Sequence, residues 1–307
     1  MQSVGTRSLR FAAPLLLLSA WSPASAADGA LPGGLNSDTI NRVPSSKPAL
    51  VEAYASQSPH QIGELRLPKG RGPFPVAMLV HGGCWIAGLG RPRNLAPLAT
   101  WLAGHGVASW NVDYREIGSG GGWPTSFEDW AAAAQHLRVL AKRYPLDLAR
   151  LTVIGHSAGA TAGLFLAQPR AADGPIASAT PWPRPRPRPR AIVQFDGLVP
   201  QDYLLGPDAA MCGRPVIQQF MGGLPAGVPA RYHAISPEAS PPRVARALFV
   251  VAVLPPPPAT TTAALRKAGA RVEIIAPASP NHFDVIAPGT PNYTAIAPAL
   301  LRAVRGR

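Results

Sequence analysis

From residue 61 onward, short apolar runs of strand length alternate with stretches whose apolar positions recur at helical spacing. Residues 61–67, 75–80, 107–114, 151–154, 191–195, 247–253 and 271–276 read as strands, most of them β-branched and apolar throughout. Residues 95–104, 126–144, 160–167, 260–268 and 293–304 read as helices. In the second of these, Phe127, Trp130, Ala133, Ala134, Leu137, Leu140 and Ala141 keep one face. Thr125 or Ser126 can cap its start, Glu128 and Asp129 favour its first turn, and Pro145 closes it. Gly104 and Gly269 stop two others. Strand and helix in alternation predict an α/β fold: a mostly parallel, doubly wound sheet with helices on both faces. A chain of 307 residues is long enough for one such domain with a substantial core.

Three stretches break the alternation. At the start, Arg7 and Arg10 precede an apolar run over 11–20, and Ala24-Ser25-Ala26 follows. This is the layout of a secretory signal peptide over 1–26, too short to span a membrane, so a periplasmic or secreted protein is expected, with no stable membrane insertion after cleavage. Residues 27–60 are rich in Pro, Ser and Asn without a sustained period, and read as a linker or as an arm on the surface of a domain over 61–307. Residues 169–190 end in Pro183-Arg-Pro-Arg-Pro-Arg-Pro-Arg190, an extended polyproline-like surface insertion. Residues 197–240 are loop-rich, with one short helix over 215–221.

The residues between the fourth strand and the helix that follows it are Gly155-His156-Ser157-Ala158-Gly159. A strand, G-x-S-x-G and a helix together make a nucleophile elbow, in which a sharp turn lifts the serine above the sheet and aims a helix N-terminus at it. The second strand ends in His81-Gly82-Gly83-Cys84-Trp85. H-G-G-x-W upstream of G-x-S-x-G resembles the oxyanion-hole loop of esterases, lipases and kynurenine formamidases of the α/β-hydrolase superfamily. That resemblance extends over nearly all of 61–305. It implies the α/β-hydrolase fold, a cap over 197–240, Ser157 as nucleophile, and an oxyanion hole built from the N–H groups of Gly83, Cys84 and Ala158. His81 and Trp85 are expected to brace the loop. Asp113, in a D-Y-R strand end, is expected to make structural ion pairs.

The remaining members of a triad follow in the order acid, then histidine. His282 lies just past the last strand, in Asn281-His282-Phe283-Asp284, where the resemblance places the general base; His60, His105, His136 and His233 have no such position. His156, inside the elbow, is expected to point away from the base. The acid departs from the pattern. Relatives carry it after the penultimate strand, but here that strand runs into Leu254-Pro-Pro-Pro-Pro258, and nothing acidic occurs between Glu238 and Glu273. Asp196, at the end of the strand after the elbow, is the candidate carried forward. Asp202, Asp208, Glu238 or Asp284, or a Ser-His dyad without an acid, are the alternatives.

Composition adds little that redirects this reading. The net charge is +13, but two arginines belong to the leader and four to the Pro-Arg repeat, and no nucleic-acid motif accompanies them. The glycines over 118–122 carry no lysine and open no helix at phosphate-binding spacing. Cys84 and Cys212 have no metal-ligand spacing and, in an oxidising compartment, can pair as a disulfide or remain free. No metal or organic cofactor is implied. The expected activity is cleavage of small carboxylic esters through an acyl-enzyme on Ser157, with a small-molecule ester as partner. Two alternatives stand beside it: an arylformamidase-type amide hydrolase, and a catalytically impaired binding protein on the same scaffold.

Overall fold

The computed structural model describes Met1 and residues 30–169 and 187–306. The signal-peptide expectation and most of the Pro-Arg insertion lie outside the described residues. Eight strands form one sheet: β1 (Leu50–Ala53), β2 (Ile62–Arg66), β3 (Phe74–Val80), β4 (Ala108–Val112), β5 (Leu146–His156), β6 (Ala191–Phe195), β7 (Arg246–Val250) and β8 (Arg271–Ile275). Their order is β1-β2-β4-β3-β5-β6-β7-β8. The pairs β1–β2 and β2–β4 are antiparallel and all others parallel. This is the mostly parallel sheet of the α/β-hydrolase fold.

Strands buried on both faces read as continuous apolar runs, yet alternation still assigns each side chain to a layer. In β3, Val76, Met78 and Val80 join one core, while Ala77 and Leu79 join the other. The first layer packs under α2 (Thr125–Leu140) and α3 (Ala160–Ala167) through Phe127, Trp130, Leu137 and Phe165. The second packs under α1 (Ala96–Gly104) and the closing helix (Pro291–Arg305) through Leu98, Leu102, Ile296 and Leu300.

Several boundaries differ from expectation. Residues 30–60 are not a free linker: β1 extends the sheet, and Leu31 N–H bonds the Gly289 carbonyl while Ile40 is fully buried. A four-residue edge strand with one exposed face gives too few apolar positions for a period to show. The helix expected over 126–144 ends at Leu140 and is preceded by Pro124. Ser126 is no cap; its Oγ accepts from Gly122 N–H and donates to the Arg115 carbonyl. Gly104 is the last residue of α1 rather than its stop; the reversal falls at His105 and at Gly106, which has a positive φ. The 197–240 region holds four short helices instead of one: α4 (Pro200–Tyr203), α5 (Pro207–Cys212), α6 (Ile217–Met221) and α7 (Pro229–Ile235). Proline stands at the start of three of them, where its missing N–H costs nothing. Beyond the cap lie α8 (Ala259–Lys267) and the closing helix, α9.

Candidate active site

Strand β5 passes directly into Ser157, which sits at φ 53° at the head of a 3-10 turn that continues as α3. That left-handed backbone is strained for a residue with a side chain and holds only where neighbours enforce it. The flanking glycines make room for it. A Cβ on Gly155 would run into the Gly159 carbonyl, and one on Gly159 into the Val80 and His81 carbonyls. The Ala158 N–H lies in the first turn, where amides have no intrahelical acceptor.

The loop after β3 approaches Ser157 from the other side. Gly83, Cys84 and Trp85 all have positive φ, 111°, 54° and 54°. His81 braces this turn: Nδ1 lies 2.7 Å from the Gly82 carbonyl and Nε2 lies 3.1 Å from Asp113 Oδ1, while its own carbonyl accepts the Tyr114 hydroxyl at 3.0 Å. Asp113 also meets His60 Nδ1 at 3.1 Å, so it serves as a structural ion-pair residue. Burial alone would raise the Asp113 carboxyl, but the two histidines and the Tyr114 N–H hold it below the usual range. Trp85 is fully buried, stacked on Phe220 of α6 at 4.5 Å.

Cys84 and Cys212 form a disulfide that ties this loop to α5 of the cap. The bond closes a loop spanning 128 positions. Reduction, or Cys212→Ser, is expected to cost about 2–4 kcal/mol. Thermal denaturation with and without reductant should show a midpoint lower by on the order of 10 °C, and an unchanged midpoint would contradict it.

Of the carboxylates considered for His282, Asp196 alone meets it: Oδ2 lies 2.6 Å from His282 Nδ1. Asp196 follows β6 at φ 47° and is 1% exposed. Its Oδ1 accepts the N–H groups of Ala252, Val253 and Leu254 at 2.8–2.9 Å. The acid-free loop after β7 therefore meets the site through Asp196, to which it supplies backbone donors. Burial would push the Asp196 carboxyl up; the His282 contact and these N–H groups outweigh that and hold it low. The others are engaged elsewhere. Asp284 accepts from Gly34 and Leu35 N–H and anchors the N-terminal arm. Asp208 accepts from Val216 and Ile217 N–H, and Glu238 bonds Ser236 and Thr261. Asp202 is pushed up to about 6 by burial and the Glu238 charge.

His156 corrects one expectation. It does not point away from the base; its ring centroid lies 4.5 Å from that of His282, and its Nε2 donates to the His282 carbonyl at 2.8 Å. Burial, with the His282 charge second, drives His156 down to about 3, so it holds this loop as a neutral donor. No sequence signal marked that role, because the contact spans 126 positions. All four non-glycine residues with positive φ among the described residues, Cys84, Trp85, Ser157 and Asp196, lie in this one site. Strain of about 1–3 kcal/mol at each is concentrated where chemistry would use it.

Glu116 was also invisible to motif reading. It lies beside the same loop, since Ile117 N–H donates to the Trp85 carbonyl, and its buried Oε1 has no partner among the described residues. Burial, then repulsion from Asp113, pushes its carboxyl up to about 9. The unfolded chain releases that proton near pH 4.5, so stability falls as pH rises from there to about 9, with a slope near 1.4 kcal/mol per unit. Glu116→Gln should match the wild type at pH 4–5 and become the more stable protein at pH 8–9. Denaturant melts across that range check it; curves that stay parallel would refute it.

Among the described residues no helix is long and apolar enough to cross a membrane, and no cluster of His, Cys, Asp and Glu could hold a metal ion. No curated protein sequence matches the chain. Solved structures similar to it include a bifunctional GH43-CE protein of Bacteroides eggerthii, at 19% identity and a TM-score of 0.61, covering 83% of this chain but only 37% of that one. A thermophilic esterase of the Planctomycetes species Thermogutta terrifontis aligns at 19% identity and 0.57, covering 74% and 82%. Esterase B of Lactobacillus Rhamnosis aligns at 16% and 0.65, covering 88% and 90%. These likenesses carry the fold. The BD-FAE family model matches residues 64–239, a span that holds His81–Trp85, Gly155–Gly159, Asp196 and the four short helices α4–α7. The chain therefore belongs to the BD-FAE family, a family of α/β-hydrolase-type esterases, and is an ester-bond hydrolase.

Proposed function

We propose that this protein is a secreted or periplasmic serine carboxylesterase acting on small carboxylic esters. The observation that carries the reading is the 2.6 Å contact between His282 Nδ1 and Asp196, with Ser157 held at positive φ in the elbow. The Asp196 contact fixes the His282 tautomer that leaves Nε2 free to accept a proton. His282 takes the Ser157 proton as Oγ attacks the ester carbonyl carbon. The carbonyl oxygen becomes an oxyanion facing the N–H groups of Gly83, Cys84 and Ala158. His282 then gives the proton to the alkoxy oxygen, the C–O bond breaks, and the alcohol leaves an acyl-Ser157 ester. Water attacks that ester while His282 takes its proton and returns it to Ser157 Oγ, releasing the acid.

The carboxylate-free loop after β7 favours a non-catalytic binding protein; against that reading stands the Asp196–His282 contact, with Asp196 held by the backbone donors of the same loop. The arylformamidase reading keeps the H-G-G-x-W loop in its favour. The disulfide, which suits an oxidising compartment, and the leader-like first 26 residues favour the exported esterase. The test sets p-nitrophenyl acetate and butyrate, an acetylated sugar and N-formylkynurenine against the mature protein, together with fluorophosphonate labelling. Turnover of the esters with labelling at Ser157 is the expected result. A clear preference for N-formylkynurenine would replace the esterase by the amidase, and no turnover with no label would overturn both.

A further inference from the structure

The cap contributes one group to the site that neither motif nor family position marks. Tyr203 ends α4 and is 2% exposed. Its ring meets Trp85 of the oxyanion loop edge-on, with centroids 5.4 Å apart at 81°. Its hydroxyl lies beside the Ser157 side chain and the Leu198 backbone, close enough to interact with both. Yet it makes no well-formed hydrogen bond to any of the described residues. A buried hydroxyl without a partner costs about 1–3 kcal/mol, and folded proteins rarely keep one without a use. Here it stands next to the nucleophile, where charge develops once a substrate is attacked.

We propose that the Tyr203 hydroxyl is a fourth oxyanion-hole donor, hydrogen-bonding the tetrahedral intermediate alongside the backbone N–H groups of Gly83, Cys84 and Ala158. The side of the site decides for the oxyanion over the leaving group. Tyr203 packs on Trp85, the residue that follows Cys84, whereas the alkoxy oxygen must face His282 to receive its proton. Burial pushes the phenol well above its ordinary range, so it remains a proton donor at any working pH. The bond is unmade in the free protein and forms only as the carbonyl carbon becomes tetrahedral, so it stabilises the transition state selectively.

This inference rests on the serine-esterase reading, and the experiment separates the two. Tyr203→Phe keeps the ring against Trp85 and removes the oxygen alone. Loss of one oxyanion donor should lower kcat for p-nitrophenyl acetate about 10²-fold with KM within about twofold. A trifluoromethyl ketone, which forms a hemiketal oxyanion on the serine, should lose affinity by about the same factor. The melting temperature should hold or rise, because an unsatisfied buried hydroxyl has been deleted. Wild-type kcat in Tyr203→Phe, while Ser157→Ala is inactive, would overturn the role of Tyr203 and leave the esterase standing. So would a fall in kcat that comes with a lowered melting temperature and unchanged ketone affinity, the mark of a packing role. A wild type inert to every ester and to fluorophosphonate would overturn both.

Discussion

Ser157→Ala should lower ester turnover by about 10⁶-fold, to a rate set by binding and the oxyanion hole alone. The size follows from how the residue is held. Positive φ at Ser157, glycines on both sides and a helix turn behind it all serve to present one oxygen atom, and alanine deletes that atom. The same substitution should leave the fold nearly intact, since Cβ remains and the deleted hydroxyl lies beside Tyr203 without a well-formed hydrogen bond between them. The variant should therefore melt within a few degrees of the wild type and bind substrate without cleaving it. Stopped assays with p-nitrophenyl butyrate and a fluorophosphonate probe measure both aspects. Turnover retained within tenfold would place the nucleophile elsewhere.

Asp196→Asn is expected to cost about 10⁴-fold in kcat, with little loss of folded protein. Asparagine tolerates the left-handed backbone at φ 47° and keeps an oxygen for the N–H groups of Ala252, Val253 and Leu254. Toward His282 it can offer an amide N–H instead of an acceptor, so Nδ1 must accept, Nε2 carries the hydrogen, and the ring cannot take the Ser157 proton. Asp196→Ala should lose activity and stability together, because three buried donors lose their acceptor and alanine resists the left-handed conformation. Parallel kinetics and thermal melts of the two variants check this; a highly active Asp196→Asn would give the acid role to another carboxylate or leave a Ser-His dyad without an acid. The sign of the pH effect follows as well. Asp196 is held below its unfolded value, so its contribution to stability is complete above about pH 4. That contribution disappears as pH falls through the lowered native value.

How legible the molecule was depended on whether a function is written in side chains close together in the chain. G-H-S-A-G and H-G-G-C-W are local, because a turn or a close backbone approach restricts successive residues, and both sit where they were expected. His282 was legible by position, one loop beyond the last strand. Asp196 was ambiguous, and its neighbour explains part of the reason: a Cβ on Gly197 would strike the Ser157 carbonyl, a requirement that an isolated Asp-Gly pair does not announce. His156, Glu116 and Tyr203 could not be read at all. Each acquires its role from partners brought in by the sheet or the cap, and each is of a type that elsewhere in this chain is packing or surface. The strand β1 was lost for a simpler reason, its four residues being shorter than any usable period.

The loop after β7 touches Asp196 only through main-chain N–H groups, and this frees its sequence from the reaction. Any residue but proline could supply the donors at positions 252, 253 and 254, and the four prolines begin at Pro255, just where no further donor is required. Val253 and the residues at 255 and 256 face solvent. Substitutions along this rim should therefore leave the hydrogen bonds to Asp196 in place, so long as no proline enters positions 252–254.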